Sequence, residues 1–302
     1  MTELHPKGVF CAALTPQHAD LTPDLPRFVA HCRWLLAEGC DGIALLGTTG
    51  EANSFSVEER KAILEAALES GIAREKLIPG TGVNAIPETV ALTKHALSLG
   101  VDTVVMLPPN YYKGVSADGL FAAYSEIVER VGDPALKVVL YHIPQMSGIP
   151  IPHEVIERLR TRYPSTFVAI KDSSGDQANM EAMIARFPGL AVLVGADPLL
   201  LPLLKKGAAG CITATSNLVG KDLATVYRHH ADPAQADAVA AAQARIVAAR
   251  NAVSQFGQIP SLKAALALRT GHEGWRNLRP PLMRLTAADE AAVQRGLTAV
   301  AG

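Results

Sequence analysis

Phe167-Val168-Ala169-Ile170-Lys171-Asp172-Ser173-Ser174-Gly175-Asp176 is an apolar run that ends on a lysine and passes at once into a polar turn. The stretch Ala178–Arg186 that follows has helical composition. Strand, turn and helix make one βα unit, and the apolar run is what a strand buried on both faces requires. Burial disfavours an ammonium ion, so a lysine at the mouth of such a strand can offer a free amine as nucleophile. A strand-end salt bridge to Asp172 accounts for the same residues without any chemistry.

The unit recurs along the chain. Strands are expected at Val9–Leu14, Gly42–Leu46, Leu77–Gly80, Thr103–Leu107, Lys137–Ile143, Phe167–Lys171, Ala191–Gly195 and Ala209–Ala214. Helices are expected between them at Pro26–Glu38, Val57–Ser70, Pro87–Leu99, Ala117–Arg130, His153–Thr161, Ala178–Arg186 and Leu199–Lys206. Ser56 with Glu59 reads as a capping box. Gly39, Gly71, Gly100 and Gly207 fall where left-handed residues end helices. Eight βα units, spaced by about 25 to 35 residues, predict an α/β fold: a (β/α)8 TIM barrel over residues 1–220. A doubly wound open sheet is the competitor. Leu223–His230, Asp232–Phe256, Ser261–Arg269 and Ala287–Val300 then read as a C-terminal helical extension over 221–302.

Bulk properties narrow the function. The 302 residues are 49% hydrophobic and 19% charged, with a net charge of -1, so neither nucleic acid nor a membrane surface is an expected partner. Cys11, Cys32, Cys40 and Cys211 form no C-x-x-C pair and read as reduced core thiols of a soluble, cytoplasmic protein. Met1–Phe10 has no apolar signal core, and no stretch approaches a membrane span. None of the nine histidines forms an H-E-x-x-H pattern, so no metal is expected. Walker, dinucleotide and nucleophile-elbow patterns are missing as well.

In a βα barrel the chemistry gathers at the C-terminal ends of the strands. Gly47-Thr48-Thr49-Gly50-Glu51 follows the second strand and puts two hydroxyls and several N–H groups on a tight turn, which suits a carboxylate. Ordinary loop chemistry would explain it too. Tyr141 ends the fifth strand, where a phenol can move a proton or simply fill the core. Tyr111-Tyr112 after Pro108-Pro109 read by default as loop packing or a subunit contact.

Taken in order, Gly47-Thr48-Thr49-Gly50-Glu51, Gly80-Thr81-Gly82-Val83-Asn84, Pro109-Asn110-Tyr111-Tyr112, Tyr141-His142-Ile143-Pro144 and Ile170-Lys171-Asp172 resemble the dihydrodipicolinate synthase / N-acetylneuraminate lyase family of class I pyruvate aldolases. The resemblance implies that Lys171 forms a Schiff base with pyruvate or another 2-oxo acid, needing no cofactor or metal. It also implies that Tyr141 shuttles protons with Thr48 on its hydroxyl, and that Thr48 and Thr49 hold the substrate carboxylate. Glu51 would brace the loop without joining the chemistry. Gly195 and Ile212 would line the imine pocket, with Ser173 and Asp197 as further polar contacts. Tyr112 would reach a neighbouring subunit's site in a homotetramer.

The departures matter as much. Met146 stands where dihydrodipicolinate synthases carry an arginine for the second substrate's carboxylate, and methionine cannot make that ion pair. Pro198 and Ala214 stand where neuraminate lyases carry polyol-binding groups. His142 replaces a usual asparagine. The expectation is a Schiff-base aldolase or lyase taking a 2-oxo acid and an aldehyde-type second substrate. A 4-hydroxy-tetrahydrodipicolinate synthase, a non-catalytic 2-oxo acid sensor and a metal-dependent barrel aldolase are the alternatives.

Overall fold

Among the described residues, seven parallel strands form one sheet: β1 (Gly8–Ala12), β2 (Gly42–Ala44), β3 (Thr103–Met106), β4 (Lys137–His142), β5 (Phe167–Asp172), β6 (Ala191–Val194) and β7 (Gly210–Thr213). Their spatial order is β2-β1-β7-β6-β5-β4-β3. The computed structural model describes residues 6–301, so the first part of Met1–Phe10, with His5, lies outside the described residues.

The expected strand at Leu77–Gly80 is present only as a bridging segment. It lies between β2 and β3 and joins the two ends of the sheet. Ile78 N donates to Ile43 O at 2.9 Å and Gly80 N to Leu45 O at 2.8 Å. On the other side Val105 N donates to Pro79 O and Thr81 N to Val105 O, both at 2.9 Å. Pro79 has no N–H to give toward β3, where the pairing reduces to the single bridge Gly80↔Val105; on the β2 side it is the single bridge Ile43↔Leu77. The ring is closed all the same, as the barrel prediction requires, with this segment in the eighth position.

Strand alternation divides the apolar residues into two layers. Phe10, Ala12, Ala44, Val105, Val139, Ala169, Leu193 and Ile212 fill the interior of the ring. Val9, Cys11, Val104, Val138, Leu140, Ile170 and Val192 face the helices. One irregularity sets the phase of this alternation. Val138 pairs with Phe167 but Val139 pairs with Ala169, so β5 holds one extra residue, Val168, as a bulge. Beyond the bulge Tyr141 stands opposite Lys171, and Lys171 opposite Leu193.

Helices cover the ring much as the sequence predicts. The Ser56 hydroxyl and the Glu59 carboxylate make the expected capping box on helix Val57–Glu69. Gly39, Gly71, Gly100 and Gly207 all have positive φ. The single helix expected at Leu199–Lys206 is instead a 3-10 turn, Asp197–Leu199, and a short helix, Leu200–Leu204, in a stretch interrupted by Pro198 and Pro202. A four-residue helix, Pro144–Ser147, was not expected.

The C-terminal region comprises helices Ala236–Ser254, Gln258–Thr270 and Ala287–Ala301. Val253, Leu262, Leu266, Trp275 and Val293 share one buried cluster with Leu14 and Ala214 at the barrel mouth. The predicted boundary after residue 220 falls within helix Ser216–His229, beside its break at Val219. All four cysteines are buried and free. Among the described residues, no helix is long and apolar enough to cross a membrane.

Candidate active site

Lys171 lies on the inner face of β5 and is 6% exposed. Its neighbour Asp172 is fully buried on the opposite face, because successive strand residues point to opposite sides. Asp172 Oδ1 accepts from Ser174 N at 2.8 Å and Ser174 Oγ at 2.6 Å, and Oδ2 accepts from Asn179 Nδ2 at 2.8 Å. The Lys171–Asp172 salt bridge is therefore not formed. The Lys171 ammonium instead sits over the ring of Tyr141, with Nζ 4.2 Å from the centroid.

Tyr141 is 5% exposed and its hydroxyl lies 3.3 Å from Thr48 Oγ1. Either oxygen can donate, which leaves a two-way path for a proton. Thr48 and Thr49 sit on the turn after β2. Gly47 opens on a cleft lined by Leu46, Thr48, Gly82, Leu107 and Tyr141. Lys171, Tyr141 and the Thr48-Thr49 turn are thus assembled at one end of the ring.

Glu51 holds the far side of that turn in the left-handed region, φ 57°, where a non-glycine residue is uncommon. Its carboxylate is buried and ion-paired with Lys263. Gln17 Nε2 donates to it at 3.1 Å and Arg279 N at 3.4 Å. Burial lowers the pKa of Lys263, and Glu51 opposes that shift. Sequence inspection missed Lys263. The available signal was a lone lysine in Leu262-Lys263-Ala264-Ala265-Leu266, where an apolar helix leaves it no solvent face.

Ser173 and Gly195 are neighbours across the ends of β5 and β6. A Cβ on Gly195 would stand 2.0 Å from Ser173 Oγ, so only glycine fits there. Ile212 is fully buried in the interior layer. Asp197 departs from the expectation of a substrate contact. It is fully buried, with Oδ1 accepting from Thr215 Oγ1 and Oδ2 taking Arg250 Nη1 at 3.2 Å. Both oxygens are committed to protein partners, and the residue ties the mouth of β6 to helix Ala236–Ser254.

His142 faces outward beside Asp172 and is 7% exposed. Its Nδ1 accepts from Ile151 N at 3.1 Å, which fixes the other nitrogen as the proton carrier in the neutral ring. Burial lowers its pKa, partly offset by the charge of Asp172. Tyr112 lies on the surface. It is 77% exposed and packs edge-on against Tyr111 at 5.3 Å. Asn84 Oδ1 anchors their loop by accepting from Asn110 N and Tyr111 N at 2.8 and 2.9 Å. Met146 is 65% exposed on the short helix after β4. Among the described residues, no three His, Cys, Asp or Glu side chains are grouped as a metal ion would need.

Residues 5–300 match the dihydrodipicolinate synthetase family. An uncharacterized DapA-like lyase of Chloroflexus aurantiacus is 37% identical over 291 residues, covering 96% of this chain and 95% of that one. A 4-hydroxy-tetrahydrodipicolinate synthase of Listeria welshimeri is 37% identical over 218 residues, 71% of this chain and 72% of that one. The crystal structure of dihydrodipicolinate synthase from Agrobacterium tumefaciens superposes with a TM-score of 0.89 at 29% identity, covering 97% of this chain and 99% of that one. A prophage protein of the same family from E. coli K12, in complex with pyruvate, gives 0.90 at 25% identity and 98% of each chain.

Proposed function

Because this chain belongs to the dihydrodipicolinate synthetase family, and is a lyase by that membership, we propose that it is a class I aldolase acting on pyruvate or another 2-oxo acid through an imine on Lys171. The observation that carries this reading is the inward Lys171, unpaired with Asp172 and set over Tyr141, whose hydroxyl meets Thr48.

The amine of Lys171 adds to the keto carbon, and water leaves to give a protonated imine. The imine withdraws electrons from the adjacent carbon, which loses a proton and becomes an enamine. The enamine carbon attacks an aldehyde carbonyl, forming the carbon–carbon bond. Hydrolysis of the imine then frees Lys171, and cleavage is the same path reversed. Tyr141 takes and returns the protons, with Thr48 as relay. The Thr48-Thr49 turn holds the carboxylate and so fixes the keto carbon beside the lysine.

Borohydride reduction in the presence of pyruvate should trap a stable adduct that peptide mass analysis maps to Lys171 and that Lys171→Ala removes. Absence of an adduct, or its persistence in the variant, sinks the proposal. Pyruvate bound without exchange of its methyl protons would favour a sensor.

The second substrate we propose is an aldehyde with an apolar tail. Support comes from the exposed Met146 and Tyr112, and from Lys113, whose Nζ is spent on Ser147 O at 2.6 Å. The alternative is aspartate semialdehyde, if the chain is a 4-hydroxy-tetrahydrodipicolinate synthase as relatives are named. A panel of aldehydes that includes it separates the two by kcat/KM. Exposed Tyr111 and Tyr112 also support a homotetramer in which Tyr112 completes a neighbour's site; a monomer in sedimentation velocity at working concentration would exclude it. The four free thiols support a reducing, cytoplasmic setting, which fractionation of the source cell checks.

A further inference from the structure

We propose that Lys263, on a C-terminal helix outside the barrel ring, is a positioning residue for the turn that holds the substrate carboxylate. The inference rests on the reading of Thr48-Thr49 as that clamp. Glu51 is the next residue but one after Thr49, and its backbone is in a left-handed conformation that its own chemistry does not favour. The turn's own hydrogen bonds, Glu51 N to Thr48 O at 3.1 Å and Ala52 N to Gly47 O at 3.2 Å, are joined by contacts from outside it. Two loop contacts contribute: Thr15 Oγ1 donates to Gly50 O at 2.9 Å, and Gln17 Nε2 to Glu51 at 3.1 Å.

The remaining anchors come from the C-terminal region. Lys263 pairs with the Glu51 carboxylate, with both side chains removed from solvent. It also donates to Asn277 O at 2.8 Å, and Asn277 Nδ2 donates to Gln17 O at 2.9 Å. Lys263, Asn277, Gln17 and Glu51 therefore form a closed buried circuit. Farther along, Arg279 ion-pairs with Glu59, donates to Ser54 O, and donates from Nε to Leu21 O at 3.1 Å. The segment from Gln258 to Arg279 thus grips the loop at Glu51 and beyond it at Ser54 and Glu59. A buried pair of this kind loses its compensation when one partner is removed, so the carboxylate must move toward water or take a proton. Either response shifts Thr48 and Thr49, and a small displacement of a clamp weakens substrate orientation strongly.

The test uses the full-length protein. In Lys263→Met, which keeps most of the side-chain volume, KM for pyruvate in adduct formation should rise at least tenfold, with kcat at saturation falling less than about threefold. Amide exchange of residues 47–56 should accelerate by a similar factor. That readout is independent of turnover, so failure of the proposed reaction, seen as no adduct in the wild type, is distinguishable from failure of the brace. Should Lys263→Met not fold, Glu51→Gln supplies the same test, since the uncompensated lysine can shed its proton. A folded variant of either kind with unchanged pyruvate KM and unchanged exchange overturns the proposal.

Discussion

Tyr141 has the sharpest consequence of any single residue. Its hydroxyl is 3.3 Å from Thr48 Oγ1, and its ring lies beneath Lys171 Nζ. Tyr141→Phe keeps the ring and removes only the proton carrier. The expected result is a loss of roughly 10²–10⁴ in kcat, with borohydride trapping retained, because general acid–base catalysis contributes on that order. Unchanged turnover would remove Tyr141 from the mechanism. At this scale the sequence was informative where a local pattern fixes a side chain's environment. An apolar run ending in Lys171 was visible, and so was the tyrosine one strand away. The fate of Asp172 was not, because adjacency in sequence says nothing about which face of a strand a carboxylate occupies until the register is known. Asp197 and Lys263 escaped for a related reason. Their partners, Arg250 and Glu51, lie on distant elements that only the folded chain brings near.

Among the elements, the segment from Leu77 to Thr81 is the weakest join in the ring. It closes the gap between β2 and β3 with one bridge on each side. Gly80 makes the closure possible, since a Cβ there would meet Leu46 O at 2.2 Å. Gly80→Ala must push that backbone aside, and Leu46 leads directly into Gly47 and Thr48. We expect a destabilisation of about 1–3 kcal/mol in urea denaturation, accompanied by a higher KM for pyruvate. A variant with the wild-type midpoint would show that the join yields without strain. Periodicity located this segment as a strand but could not count its hydrogen bonds, and Pro79 is what reduced them. Helix ends are legible where capping chemistry is local, as at Ser56 and Glu59. They are not legible around Pro198 and Pro202, where a 3-10 turn and a short helix stand in place of one helix.

For the molecule as a whole, His31 reports on integrity. It lies on helix Leu25–Ala37, buried against Trp34 and Trp275, with Nε2 2.8 Å from Asn217 Oδ1. Asn217 also accepts from Leu14 N and donates to Ala12 O, so the histidine is linked to β1 and to helix Ser216–His229. Burial lowers its pKa from 6.5 to about 4. Between those values the unfolded chain binds a proton that the native state refuses, so stability rises with pH through the window and is lost as pH falls through it. The expected loss from this group is about 3 kcal/mol between pH 6.5 and 4, read from urea midpoints. His31→Phe should flatten that slope; an identical slope in the variant would assign it to other groups. Closure of the ring was legible from eight repeated units, whereas the packing of the C-terminal helices across the mouth was not, because nothing in a helical period names its docking face. The bulge at Val168 has a consequence for how such a gene can change length. One surplus residue separates Phe167 from Lys171 relative to the ladder. A single-codon deletion in that interval can be absorbed by erasing the bulge, leaving lysine and tyrosine opposed. Losing a second codon has no such slack: it reverses the parity of the strand and turns the nucleophile out of the barrel. Inheritance of this site is thus buffered against one deletion and no more.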